Sequence, residues 1–209
     1  MPKKVNQQAR RQEIADALWR VTRRDGWEAV SMRHVAAEAG VSVGMLQHHF
    51  ASKDEMLRFA LDTIGEQYGR RITERITALP DPREPRRVVE IVLDELLPRD
   101  GGGQVEVQAA AAFLSRAILH PEIATDLIAA GTRLTEYLTD QIRRSRPDAI
   151  DPEIDAAGLL ALADGLIAHL LTGRITRDIA EGVIERQLDS IFGPTIEGRP
   201  NGSRISTPG

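Results

Sequence analysis

The chain has no cysteine among its 209 residues. That absence excludes disulfides, thiolate catalysis and cysteine-built zinc sites at once. Aromatic residues make up only 4%, which disfavours a β-rich core and predicts helices packed through Leu, Ile, Val and Ala. No run of about 18 apolar residues stands out, so no bilayer-spanning segment and no membrane association are expected. The opening MPKKVNQQARRQE lacks the apolar stretch of a secretory signal, and a cytoplasmic protein is the expectation. There is no repeat and no P-loop. The sequence GEQYG (residues 65–69) lacks the strand–turn–helix context of a dinucleotide fingerprint. Paired carboxylates, metal ligands and nucleophile–base pairs are missing at working spacing. An all-helical enzyme or small-molecule carrier therefore finds no chemistry here to support it, and neither a cofactor nor a metal is expected.

What is present is an asymmetry of charge. Residues 1–58 hold ten Lys/Arg against seven Asp/Glu, a net of +3 in a chain whose total is -4. A small basic module on an acidic body suits a protein that offers one end to phosphates. An ordinary solvated surface would account for the excess equally well. The pattern of residues 31–53 decides between the two.

That stretch is SMRHVAAEAGVSVGMLQHHFASK. Ser31 reads as an N-cap, and Val35, Ala36 and Ala39 as the inward side of a short helix. Gly40 permits a left-handed exit, Val41 plugs the turn, and Ser42 caps a second short helix. Leu46 and Phe50 are four apart and share its inner face. Val43, Gly44, Met45, Gln47, His48 and His49 are left outward or flanking. A helix, a glycine turn and a helix with a polar outer face make a helix-turn-helix, whose second helix can lie in a DNA major groove. Adjacent histidines on a helix point about 100° apart, which makes His48 and His49 poor joint metal ligands. The amide of Gln47 can pair with adenine N6 and N7. Arg33, in the first turn of its helix, is either a phosphate or base contact or a plain surface charge. Lys53 follows the cap Ser52, so its ammonium and the backbone donors of a helix start can hold one phosphate.

Residues 10–58 resemble the DNA-binding domain of TetR-type transcriptional regulators. The resemblance rests on Gly26-Trp27, Ser31-Met32-Arg33, Val35-Ala36, Ala39-Gly40-Val41-Ser42, Gly44, Leu46, His49-Phe50 and Ser52-Lys53-Asp54-Glu55-Met56-Leu57. Two positions depart from that family: Gln47 stands where it usually has a tyrosine, and Val43 where it has a basic or polar residue. Candidate DNA contacts are Ser31, Arg33, Ser42, Val43, Gly44, Met45, Gln47, His48, His49 and Lys53. Lys3, Lys4, Arg10 and Arg11 are either a basic arm or a solubilising tail.

The expected architecture is all-α: an N-terminal three-helix helix-turn-helix domain (1–58), a larger helical bundle (59–192) and a disordered Gly/Pro/Ser/Thr-rich tail (193–209). Helices are predicted over residues 8–24, 52–78, 86–97, 104–120, 121–146, 153–172 and 176–192, with residues 1–8 loose. Trp27 is expected to fill the core beside the first helix. The run Ala109–Ala112 marks either close helix packing or a cavity wall. Apolar residues of the helix at 153–172 cover more than the stripe a surface helix needs. With the helix at 176–192 it would form a four-helix interface across a twofold axis. The segment LLALADGLIAHLLTG resembles the betaine-regulator-like group of the same family, which implies a homodimer through the last two helices. The resemblance further implies a pseudo-palindromic operator and a small effector. Gln108, Phe113, Arg116, Tyr137 and His169 are polar or aromatic residues on otherwise apolar helices, and are the candidate effector contacts. An architectural DNA-binding protein without an effector is the competing reading, which the size of the apolar body disfavours.

Overall fold

The computed structural model describes residues 2–98, 107–111, 114 and 121–194, and no strand occurs among them. Helix α1 spans Pro2–Asp25, α2 Met32–Glu38, α3 Val43–His49, α4 Lys53–Thr77, α5 Pro85–Leu96, α6 Pro121–Ser145, α7 Pro152–Leu171 and α8 Arg177–Phe192. Helix α1 begins well before residue 8, against expectation. Proline suits the first position of a helix, and Lys, Gln, Ala and Arg then carry it on with no breaker until Gly26. Of the helix expected over 104–120, residues 107–111 and 114 are described, and all are helical. Residues 195–209, which hold nearly all of the expected disordered tail, lie outside the described residues.

Two cores organise the chain. The first gathers Ile14, Leu18 and Val21 of α1, Val35 and Ala36 of α2, Leu46 and Phe50 of α3 and its exit, and Met56, Leu57, Ala60 and Ile64 of α4. Trp19 is buried here, 5% exposed, whereas the side chain of Trp27, expected in this place, lies outside the described residues. Ala109 also belongs to this core, so at that position the alanine run serves close packing. The second core joins Val89, Val92, Leu93 and Leu97 to Leu138 and Ile142 of α6, Ala156, Leu159 and Leu166 of α7, and Ala180, Ile184, Leu188 and Ile191 of α8.

Helix α4 takes part in both. Phe59, Leu61 and Tyr68 pack on the first core, and Ile72, further along, packs on the second. At 25 residues and about 1.5 Å of rise each, α4 is a rod of roughly 37 Å. Its far half is fastened by charge. Glu95 of α5, 2% exposed, accepts hydrogen bonds from Arg71 Nε and from Arg75 Nη1, the latter at 3.0 Å. Arg75 also donates to Asp94 at 2.6 Å, and Arg177 of α8 donates to the same Asp94 and to the Pro98 carbonyl. Arg86, at the start of α5, donates to Glu185 and Asp189 of α8 at 2.5 and 2.9 Å.

Among the described residues, α7 is the one helix that bears on the expected absence of a membrane span, and its length and composition alone do not overturn that expectation. By length and composition it could cross a bilayer, despite Asp155, Asp164 and His169, and only 22% of its apolar window is buried. The uncovered side carries Ile154, Ala157, Gly158, Ala161, Gly165 and Ala168.

Phe50 has no exposed surface and stacks obliquely on Phe59, ring centroids 5.5 Å apart. Truncating a buried phenyl costs about 3–5 kcal/mol. Phe50→Ala should lower the urea midpoint accordingly while the slope stays unchanged, and equilibrium denaturation followed by circular dichroism reads both.

Candidate nucleic-acid interface

The interface is built from caps outward. Ser31, with extended φ and ψ of -141° and 157°, accepts the His34 N–H on its Oγ at 3.2 Å. Helix α2 ends at Ala39, and Gly40 takes φ +67°, a conformation that L side chains rarely adopt. Its N–H and that of Val41 close back on the Ala37 and Ala36 carbonyls. Ser42 then caps α3 by accepting the Met45 N–H at 3.1 Å. Ser52 caps α4 by accepting the Glu55 N–H at 3.1 Å, and Glu55 reaches back to accept from the Ala51 N–H at 2.8 Å. This reciprocal pair fixes the start of α4, where Lys53 is the first residue. The same Glu55 accepts from Arg11, whose guanidinium lies 4.5 Å from the Phe50 ring centroid and 4.6 Å from that of Phe59. A cation held over two aromatic faces ties α1 to the exit of α3.

The fold sorts the sequence candidates. Arg33, Ser42, Gly44, Met45, Gln47 and His48 are exposed on one side of the helix-turn-helix. Ser31 and Lys53 are half-buried beside it. Two candidates are half-buried, on the flanking side of the outward or flanking face expected for them. Val43 packs against the first core. His49 is half-buried, its ring edge-on to His48 with centroids 5.5 Å apart. Both follow from the helix being only seven residues long: its first and last turns must supply contacts that Leu46 alone cannot.

Charge narrows the phosphate contacts further. Arg10 is paired with Glu13, Arg11 with Glu55, Arg20 with Glu38, and Arg24 with Asp25 and Glu38. Arg33 and Lys53 have no ion pair among the described residues, so their charge is open to an external anion. The arrangement is thus a helix without Asp, Glu, Lys or Arg, VGMLQHH, flanked by two cations with no ion pair among the described residues. Arg10–Glu13 and Arg24–Asp25 are local pairs, whereas the pairings of Arg11 with Glu55 and of Arg20 and Arg24 with Glu38 depend on a carboxylate from another helix, which spacing along the sequence does not announce.

Of the proposed effector residues, three lie among the described residues. Gln108 is exposed, Tyr137 is 40% exposed, and His169 is half-buried. No hydrogen bond or ring contact joins these three, and Phe113 and Arg116 lie outside the described residues. Burial pushes the Tyr137 phenol above its ordinary value. A cleft of about 420 Å³ opens elsewhere, between the end of α4, α5 and α8, lined by Arg75, Glu90, Asp94, Leu97, Ile184 and Glu185 among others.

His49 has a pH signature. Burial, then the charges of His48, Arg10 and Arg11, hold its imidazole below the ordinary value of 6.5. The unfolded chain therefore takes up that proton first as the pH falls. Stability contributed by the neutral ring is complete above about pH 6.5 and is lost below it. Melting temperature should drop between about pH 7 and pH 5.5, and less steeply in His49→Asn; a scan of both proteins across that range checks it.

Comparison with known proteins agrees with the geometry. The profile described as bacterial regulatory proteins of the tetR family matches residues 14–59, and that of the BetI-type transcriptional repressor C-terminal domain matches residues 85–193. The HTH-type transcriptional regulator PksA of Bacillus subtilis is 35% identical over 199 residues, covering 91% of this chain and 94% of that protein. A crystal structure of a transcriptional regulator from Rhodococcus sp. superposes with a TM-score of 0.73 at 30% identity, covering 87% and 95% of the two chains. The multidrug binding protein EbrR complexed with imidazole superposes with a TM-score of 0.63 at 27% identity, covering 86% and 89%. With a helix-turn-helix head and a BetI-type helical body each matched by its family model, the chain belongs to the TetR family of transcriptional regulators and is not an enzyme.

Proposed function

We propose that this regulator is a repressor, released from a pseudo-palindromic operator by a small, mostly apolar effector. The observation that carries the reading is the path of α4. Its first half helps to build the core of the reading head, and its second half is clamped to α5 by Glu95, Arg71 and Arg75. A shift of α5 against α8 is thus passed to the head through a stiff rod. The similar structure of the multidrug binding protein EbrR complexed with imidazole supports small-molecule binding by this chain.

The protein acts as a homodimer in the cytoplasm. The uncovered side of α7, with its row of small residues, allows a second copy to pack closely, and α8 adds the exposed Ile179. Two heads then meet successive major grooves, with half-site centres about one helical turn (roughly 34–36 Å) apart. Gln47, His48, Met45 and Gly44 face the bases, while Arg33, Lys53 and the capping serines face phosphates. An effector releases the DNA only by preferring the state in which the heads are wrongly spaced. A tenfold loss of operator affinity needs about 1.4 kcal/mol of such preference.

Selection from a random duplex pool, followed by footprinting, should return a twofold-symmetric site bound by a dimer, with affinity falling steeply with salt. A strictly monomeric protein, or one with no site preference, overturns the reading. Thermal-shift screening should find a compound that both stabilises the fold and lowers operator affinity by tenfold or more. A compound that stabilises without weakening DNA binding argues against release by effector.

The two kinds of contact separate by mutation. Gln47→Ala should relax preference at one base position, by about 1–3 kcal/mol of discrimination. Lys53→Ala should weaken binding to all sequences alike and reduce the salt slope by about one. Site selection and salt titration with both variants distinguish the roles.

A further inference from the structure

Met45 is 47% exposed in the first turn of α3, an apolar side chain on the surface that should meet DNA. A lone exposed apolar residue is common on any protein and by itself means little. Its setting is what matters. The backbone N–H of Met45 is taken by the Ser42 cap, so the residue is held in place from below. Gly44 beside it leaves open ground: a Cβ added there would meet nothing within 4 Å. Glycine in a helix costs about 1 kcal/mol relative to alanine, and neither positive φ nor packing within the described residues requires it here. The remaining outward positions are Gln47 and His48, and the helix bears no Asp, Glu, Lys or Arg.

We propose that Met45 reads the 5-methyl group of a thymine in each half-site. The proposal rests on α3 entering the major groove, as argued above. Thymine is the one base that presents an apolar group on that edge. An unbranched, polarizable thioether can lie along such a methyl without demanding a hydrogen-bond partner. The small Gly44 lets the start of the helix come close enough for the contact. Together with the amide of Gln47, which suits adenine, Met45 makes the centre of each half-site A·T-rich.

The test uses the full chain and the duplex it selects. Each thymine is replaced in turn by deoxyuridine, which removes only the methyl group, and Kd is measured at one salt concentration. A buried methyl is worth about 0.8 kcal/mol, or about fourfold. One thymine per half-site should show this loss, and the loss should reach about fifteenfold when both half-sites are changed. In Met45→Ala, the penalty at that position should vanish while effects at other positions persist; in Met45→Leu it should remain. Indifference to every thymine methyl, or the same penalty retained in Met45→Ala, overturns the assignment to Met45. A protein that selects no sequence at all overturns instead the DNA-reading on which the assignment rests.

Discussion

Glu95 keeps 2% of its surface in water and accepts hydrogen bonds from two guanidiniums of another helix. A carboxylate so enclosed is stable only while its partners stay in place, since removing one partner of a buried pair costs about 3–5 kcal/mol. The angle between α4 and α5 is therefore held by a directional contact as well as by apolar packing. Asp94 extends the cluster to Arg177 on α8, so three helices meet at one set of charges. Apolar packing is tolerant of small slides, whereas a forked guanidinium is not. That difference is what allows a rod anchored here to hold its other end in register.

The opposite end is held by different means. Arg11 sits over Phe50 and Phe59 and bonds Glu55, which in turn secures the first turn of α4. One arginine thus links the first helix, the exit of α3 and the start of the rod. The three capping serines set where α2, α3 and α4 begin, and Gly40 sets the turn between the first two. The head is built from local backbone chemistry and closed by long-range cations, Arg11 on Glu55 and Arg20 and Arg24 on Glu38.

Local chemistry is also what made so much of it readable in advance. Ser31, Ser42, Ser52 and Gly40 act within three or four residues of themselves, and each does what its neighbours imply. Helix ends marked by Pro80–Pro85, Pro121 and Pro152 were legible for the same reason. The pairings were not. Nothing near Arg11 announces two phenyl rings some forty residues away, and nothing near Glu95 announces Arg71. Val43 and His49 fall outward or flanking by helical spacing, and a seven-residue helix needs both ends to fill the core. An effector site is the least legible part of such a chain, because a pocket is defined by what several distant helices leave empty.

The recognition helix carries no Asp, Glu, Lys or Arg, and the unpaired cations Arg33 and Lys53 stand outside it. On the interface proposed here, grip and choice are carried by different residues. Exchanging a few side chains between positions 44 and 48 would redirect the protein to a new target while leaving its hold on the duplex, and its rate of travel along it, nearly as before. A lineage of such proteins could acquire new genes to govern without first losing its purchase on the chromosome.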